Sequence, residues 1–422
     1  MPSAVLRTSI LAALAAGLLA APAAQAQQNV RLPEKDRPLA LRTTPVFAVG
    51  TAEGRDHEMF TRVDQVAFDR NDNLYVLDGG GNRVLVFDPA GRFVRQVGKK
   101  GGGPGEFQAP VGLAVQSDGA LAVADLARRS YSLFGPDGKY LRSVPFAEEW
   151  MPMAVGSGAM AAHPRGGVVA AVRPAPAMRL DGAARRADVR STPIFWQPFT
   201  AGAEPVRLFD APTELNVQSQ ASQQPGGGQR VSFRTSVPVF SPRVNWGVRP
   251  GGGLVVSHTP GYTLKVLDAE GRVERYVQRP VRTRKVTERD RSRERERRRQ
   301  SMLSGEGMRV TVVGGSGGAA PRVPGISKEE IEEMVRTLEF AETIPAIQNL
   351  RVDGAGRLWV ERTGEAWGEP GPIDVVGADG RYLGTVTGQR LPAAFSASGR
   401  AAYVETDDLG VQRVVVRQLP RL

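Results

Sequence analysis

Residues 64–97, DQVAFDRNDNLYVLDGGGNRVLVFDPAGRFVRQV, and residues 111–144, VGLAVQSDGALAVADLARRSYSLFGPDGKYLRSV, align nearly position for position. Nothing else in the chain restricts its fold as much as this repeat. Each copy reads as four short strands with period-2 alternation, in the first QVAFD, LYVLD, RVLVFD and FVRQVG, separated by polar or Pro/Gly turns. That is an antiparallel meander. The turn before the fourth strand recurs as DPAGR, GPDGK, DAEGR and GADGR, where Gly91, Gly138, Gly271 and Gly380 supply the positive φ of a tight hairpin. Gly91 and Gly138 lie 47 residues apart, and the later intervals of 133 and 109 correspond to multiples of one unit plus insertions. A unit of this length cannot bury its apolar surface alone, and stacks on its neighbours as propeller blades do.

A degenerate blade runs over about 153–210, a fourth over about 238–278 and a fifth over about 347–386. AAFSASGRAAYVETDDLGVQRVVVRQL (393–419) then supplies three strands, and the chain stops. The missing strand lies at the other end. VFAVGTAEGRDHEMFTRVDQVAFD (46–69) aligns with VRQVGKKGGGPGEFQAPVGLAVQ (94–116), so 46–50 is an outer strand with no blade of its own. Paired with the last blade, it closes the ring and removes a free edge. The expected fold is all-β, a six-bladed β-propeller of four-stranded antiparallel blades over 27–422, closed by an N-terminal strand and interrupted by a partly helical insertion. With GPGEFQAPVGLAV, DGALAVAD and GNRVLVFDPAGRFV, the first two blades resemble NHL repeats of six-bladed β-propellers; the resemblance is specific over 64–145 and recognisable over 241–278 and 347–386.

Arg7, an apolar run at 10–24 and the small-x-small sequence AQA ending at Ala26 read as a signal peptide over 1–26, which implies a periplasmic or secreted product. The run is shorter than the ~20 residues of a spanning helix, and no later segment is long enough, so no membrane span is expected. The absence of cysteine removes disulfides, thiolate metal ligands and a thiol nucleophile.

Two insertions break the ring. Residues 213–230 are polar and rich in Gln and Gly, and read as a flexible loop. Residues 280–345 combine a basic stretch (282–300, ten Lys/Arg against four Asp/Glu), a Gly-rich stretch (304–325) and SKEEIEEMVRTLEF. The basic stretch can form a solvated helix with Glu–Arg pairs at helical spacing. In the last part Ser327 and Glu330 form a capping box, and Ile331, Met334, Val335 and Leu338 share one face. That face must cover either the propeller rim or the central pocket.

The glycine run GGGPG (101–105) follows Lys99 and Lys100 rather than preceding a Lys-Ser or Lys-Thr pair, so it is an inter-blade loop and not a phosphate cradle. Phe107 behind it is expected to plug the space between blades. Strand polarity puts the loops after second strands and those between blades on one face. His57 and His258 fall on this face and His163 on the other, which argues against a three-histidine zinc site. An oxygen cluster for calcium could draw on Asn245, Asn349, Asp78, Asp125 and Glu361, although an Asp ending a second strand more simply caps the next turn. The same face groups Lys99, Lys100, Arg128, Arg129, His258, Tyr262, Arg362 and Trp367, cations beside aromatics that suit a protein, peptide or glycan ligand. The favoured function is an exported, non-catalytic binding propeller without metal or nucleic-acid partner. The alternative, implied by enzymes among similar propellers, is a Ca- or Zn-assisted lyase or lactonase at the channel mouth.

Overall fold

The computed structural model describes residues 28–147, 150–152, 160–174, 185–223, 229–303 and 327–422. The expected signal peptide and the Gly-rich stretch at 304–325 lie outside them. Six antiparallel meanders follow one another: Val63–Phe68, Leu74–Asp78, Arg83–Phe87 and Phe93–Val97 form blade 1; Pro110–Val115, Leu121–Asp125, Ser130–Phe134 and Tyr140–Pro145 form blade 2. Blade 3 comprises Ala161–Ala162, Val168–Pro174, Arg185–Gln197 and Val206–Gln223; blade 4, Asn245–Val248, Leu254–Ser257, Thr263–Leu267 and Val273–Gln278; blade 5, Ile347–Val352, Leu358–Arg362, Ile373–Val376 and Tyr382–Val386. Ala394–Phe395, Arg400–Thr406 and Gln412–Gln418 make three strands of blade 6, and Thr44–Val49 is its fourth, pairing antiparallel with Gln412–Gln418 from Thr44 opposite Gln418 to Val49 opposite Val414. The chain is a six-bladed β-propeller closed by its N-terminal strand.

The repeated turn works as its sequence requires. Gly91, Gly138, Gly271 and Gly380 have φ of 80°, 82°, 82° and 90°, and Asp88 accepts the Ala90 and Arg92 N–H groups at 2.9 Å each. The interior departs from the expected alternation. Leu74–Asp78, Arg83–Phe87 and Leu121–Asp125 are buried at every position, because both faces of a middle strand meet a neighbouring blade. Tyr75 and Leu77 pack with blade 2, whereas Leu74 and Val76 pack with blade 6. Six apolar clusters fill the six blade interfaces, and Phe107, fully buried with its ring 5.7 Å from Phe134, plugs the one between blades 1 and 2.

Three features differ from, or add to, the expectations. Gln28–Arg31 adds in parallel outside Val273–Gln278, making a fifth strand on blade 4. From there the chain crosses the outer edge of blade 5, where Leu39 N–H donates to the Thr385 carbonyl and Thr385 N–H to the Arg37 carbonyl, both at 2.8 Å, before entering blade 6. This strap covers sheet edges that would otherwise be open. The insertion at 213–230, expected as a loop, is largely strand: the fourth strand of blade 3 continues to Gln223 and pairs with Gln229–Ser236, with 224–228 outside the described residues. Its polar, Gln- and Gly-rich composition shows no apolar alternation, so it reads as loop. In the insertion after blade 4, Arg284–Lys285 pairs with Thr343–Ile344 and clamps the two ends together. Between them stand α1 (Glu288–Leu303) and α2 (Lys328–Arg336), α2 starting at the expected capping box with Glu330 N–H to Ser327 Oγ at 3.1 Å. Ile331 and Val335 are buried, and α2 packs on α1 rather than on the outer rim of a blade. No helix among the described residues is long and apolar enough to cross a membrane.

Candidate functional site

Most carboxylates of the loop face hold the ring together. Asp78 accepts from the Thr61, Arg62 and Gly81 N–H groups with Oδ1 and from Arg83 with Oδ2. Asp125 accepts from Gln108, Ala109, Ala127 and Arg128 N–H groups. Each therefore ties the end of a second strand to the connection entering the same blade. Glu361 accepts from Asn349 Nδ2 at 2.7 Å. Asn245 is buried, and its Oδ1 has no hydrogen-bond partner among the described residues.

The eight residues grouped from sequence separate into two sectors. Lys99, Lys100, Arg128 and Arg129 belong to the connection between blades 1 and 2 and to the loop after the second strand of blade 2. There Arg128 Nη1 donates to the Gly102 and Gly103 carbonyls at 2.6 and 3.1 Å, and Lys99 lies 3.4 Å from Glu106. The glycine loop closes on itself through Gly103 N–H to Glu106 Oε2 and Phe107 N–H to the Lys99 carbonyl. Arg128 is thus a brace for the loop, and Lys100 stays exposed.

His258, Tyr262, Arg362 and Trp367 belong to blades 4 and 5, and two of them are structural. Tyr262 is 2% exposed; burial first, then the nearby Asp374 carboxylate, pushes its phenol well above the ordinary value. Arg362 pairs with Asp36 of the strap at 2.7 Å and with Asp374 at 3.5 Å. Arg279 joins the same cluster, 2.7 Å from both Asp36 and Asp374, and it also bonds the Pro33 carbonyl at 2.8 Å. Arg362 is thus engaged in the strap lock, and Tyr262 is packed in the apolar core between blades 4 and 5. His258 is half-buried beside Phe209, and burial with the nearby Lys265 lowers its pKa.

The other histidines are distant from these in the fold. His57 stacks on Phe93 at 4.1 Å, and His163 is enclosed in the first turn of blade 3, stacked on Trp196 at 4.2 Å. Among the described residues, no three His, Asp or Glu side chains converge as a metal site.

Trp367 alone of the eight meets the insertion. Its ring packs edge-on against Phe240 at 5.5 Å and lies beneath the Arg243 guanidinium at 5.4 Å. Phe240, Val239 and Ile344 form a small apolar seat for Phe340 and Leu338 on the loop face. Helix α1 is attached to this seat by charge: Arg291 and Arg295 lie over the Phe340 ring at 5.7 and 5.1 Å, Arg284 bonds Asp290 at 2.6 Å, and the 3%-exposed Glu294 accepts from Arg297 and Arg298. Burial opposes the Glu294 charge, but those two arginines more than offset it and hold the carboxyl below its ordinary value. Arg289 and Arg293 project outward, exposed, with no ion pair among the described residues. A groove of about 710 Å³ separates α1 from α2, lined by Arg295, Arg299, Lys328, Glu332, Val335 and Arg336. Arg299 crosses it to Glu332 at 2.7 Å. None of this docking was legible in sequence, since pairing across an insertion leaves no periodic signal.

Residues 52–147, which cover the first two blades and the loop before them, match the profile of DUF5128, described as a six-bladed β-propeller. No curated protein matches the chain. Among solved structures, a Bacteroides fragilis protein described as exported shares 11% identity over 93% of this chain and 100% of its own, with a TM-score of 0.47. A gluconolactonase from Xanthomonas campestris shares 14% over 91% and 99%, at 0.40, and a streptogramin B lyase 9% over 90% and 98%, at 0.38. Likenesses this distant transfer no activity to this chain.

Proposed function

We propose that this protein is an exported, non-catalytic propeller that binds an anionic glycan on its loop face, with α1 as the principal contact. The observation in support is that an arginine-rich helix is seated on that face by ion pairs and aromatic contacts, with Arg289 and Arg293 directed outward and unpaired among the described residues. A guanidinium offers a planar fork of donors suited to sulfate, phosphate or carboxylate. Export, read from the leader sequence, puts such a surface among polysaccharides rather than nucleic acids. The strand framework holds the face rigid, so the ligand would meet a pre-organised array.

Salt-gradient elution of the mature chain from a heparin matrix tests the reading. Arg289→Gln with Arg293→Gln is expected to lower the eluting salt clearly more than Lys139→Gln with Arg381→Gln, two exposed cations in the turns of the opposite face. Equal shifts would show that net charge, not this face, is responsible. A calcium-assisted lactonase is the second reading. Its support is the buried amide oxygen of Asn245 on an inner strand, without a hydrogen-bond partner among the described residues; calorimetric titration with calcium, showing no stoichiometric heat, would remove it.

A further inference from the structure

The inner strands of the six blades crowd the propeller axis, and one of them breaks a rule that the others keep. The strand ladders place Ala67, Ala114, Ala161, Gly247 and Ala394 at one equivalent position of the inner strands of blades 1, 2, 3, 4 and 6. In blade 5 that position is Arg351. Its Nη1 donates to the Leu350 carbonyl at 3.1 Å, and its Nε to the carbonyl of Ala393, just before the inner strand of blade 6, at 3.4 Å. The Leu350 equivalent in blade 2 shows which edge this is. Both the N–H and the C=O of Leu113 are bonded by the Gln65 side chain of blade 1, and Gln65 Nε2 also reaches the Met160 carbonyl at the entrance to blade 3. A side chain that touches the inner edges of three blades lies at the axis, so the Arg351 guanidinium lies along the central channel, at the seam between blades 5 and 6.

Arg351 has no ion pair among the described residues. Glu361 is the carboxylate whose charge acts on it, but the Glu361 oxygens are spent on Asn349 Nδ2 at 2.7 Å and the Gly371 N–H at 3.4 Å. Enclosure pushes the Arg351 pKa down to about 10, with Glu361 opposing. Carbonyl dipoles satisfy two of its N–H groups but bring no counter-charge, and Nη2 has no partner among the described residues. An enclosed cation without a counter-ion is costly, and the small residues at the same level of the other blades leave room beside this one. We propose that Arg351 binds a small monocarboxylate in the central channel, a site separate from α1. The planar fork matches a carboxylate, and one charge on each side leaves neither uncompensated. A dianion such as sulfate would keep one charge unpaired in the channel.

The test is thermal melting and calorimetric titration of the full mature chain with acetate, its neutral isostere acetamide, and sulfate, each at constant pH and at an ionic strength balanced with sodium chloride. Acetate is expected to raise the melting temperature saturably, and acetamide and sulfate are not. Arg351→Ala installs the residue type of the other blades, so the ring should fold, and it should weaken acetate binding by about ten-fold or more. Arg351→Lys keeps the charge without the fork and should weaken it by about three-fold or more. An acetate response equal in Arg351→Ala and the unmodified chain would assign the effect to exposed cations and overturn the proposal. Absence of any acetate response in the unmodified chain would leave Arg351 as a brace of the seam and overturn it equally. Should Arg351→Ala melt too low to titrate, unchanged affinity in Arg351→Lys overturns it instead.

Discussion

The His163 imidazole is held in one tautomer, since Nδ1 accepts from Arg165 N–H at 3.2 Å, leaving Nε2 to donate to the Gly252 carbonyl at 3.1 Å. Burial lowers its pKa, the Gly252 bond opposing and Arg165 assisting. The folded state therefore prefers the neutral ring. Between the folded pKa and the ordinary value of about 6.5, the unfolded chain binds more protons, so this contribution to stability is complete above that value and is lost as pH falls. His163→Gln can still donate to Gly252 but does not titrate. Its melting temperature should fall less than that of the unmodified protein between about pH 7.5 and about pH 5.5; parallel curves would assign the pH dependence elsewhere. Asp374, fully buried, makes a stronger case. Arg279 is wholly enclosed there, and although burial opposes its charge, Asp374 and Asp36 hold its pKa above the ordinary value. Asp374→Asn leaves that cation without its enclosed partner and should cost about 3–5 kcal/mol in urea unfolding. Asp36→Asn, at a side chain 42% exposed, should cost about 1 kcal/mol or less.

The two helices show which elements a sequence can announce. Helix α2 is legible because its start has a reciprocal cap and its buried positions, Ile331 and Val335, fall at helical spacing. Helix α1 is legible as a helix but not as a docked one. Its buried positions are Asp290 and Glu294, and a carboxylate row facing inward is indistinguishable in sequence from a solvated face until its arginine partners are known. The same limit explains the candidate site. Arg362 looks like a free loop group because its strap partner, Asp36, lies 326 positions away in sequence. Blade strands, in contrast, were legible because the repeat fixes their neighbours. Since α2 is tied to the molecule mainly through α1, Val335→Asp should unseat the helical pair without opening the ring. Limited proteolysis should then cut within 280–345 much faster, while the main melting transition moves by only about one or two degrees. A large fall in that transition would mean that the insertion is part of the cooperative unit.

At the scale of the whole molecule, the N-terminal segment plays two separable parts. Residues 28–43 strap blades 4 and 5 from outside through edge pairing and the Asp36 lock. Thr44–Val49 completes blade 6, whose interface with blade 1 buries Val63, Val66 and Phe87 with Ala402, Val414 and Val416, and is joined by Gln412 accepting from Val63 N–H at 2.7 Å. Removing the strap takes from the blade interfaces only Val30 and Leu32 at one margin and Leu39 and Leu41 at another. Removing the closing strand strips an entire edge and the Phe47 and Val49 packing from the seam where the ring's two ends meet. Loss there should propagate, because a ring holds each blade between two neighbours and an opened one leaves two blades with a single neighbour each. A mature chain starting at residue 44 should therefore keep a cooperative melt, lowered by the loss of the lock and by roughly 1.5–3 kcal/mol for each of the buried Leu32 and Leu41. A chain starting at residue 52 should melt far lower and with a shallower transition, since strand Gln412–Gln418 would then stand at an open edge available to other molecules. Equal melting of the two truncations would place the stability of the ring in the strap and refute closure by the N-terminal strand.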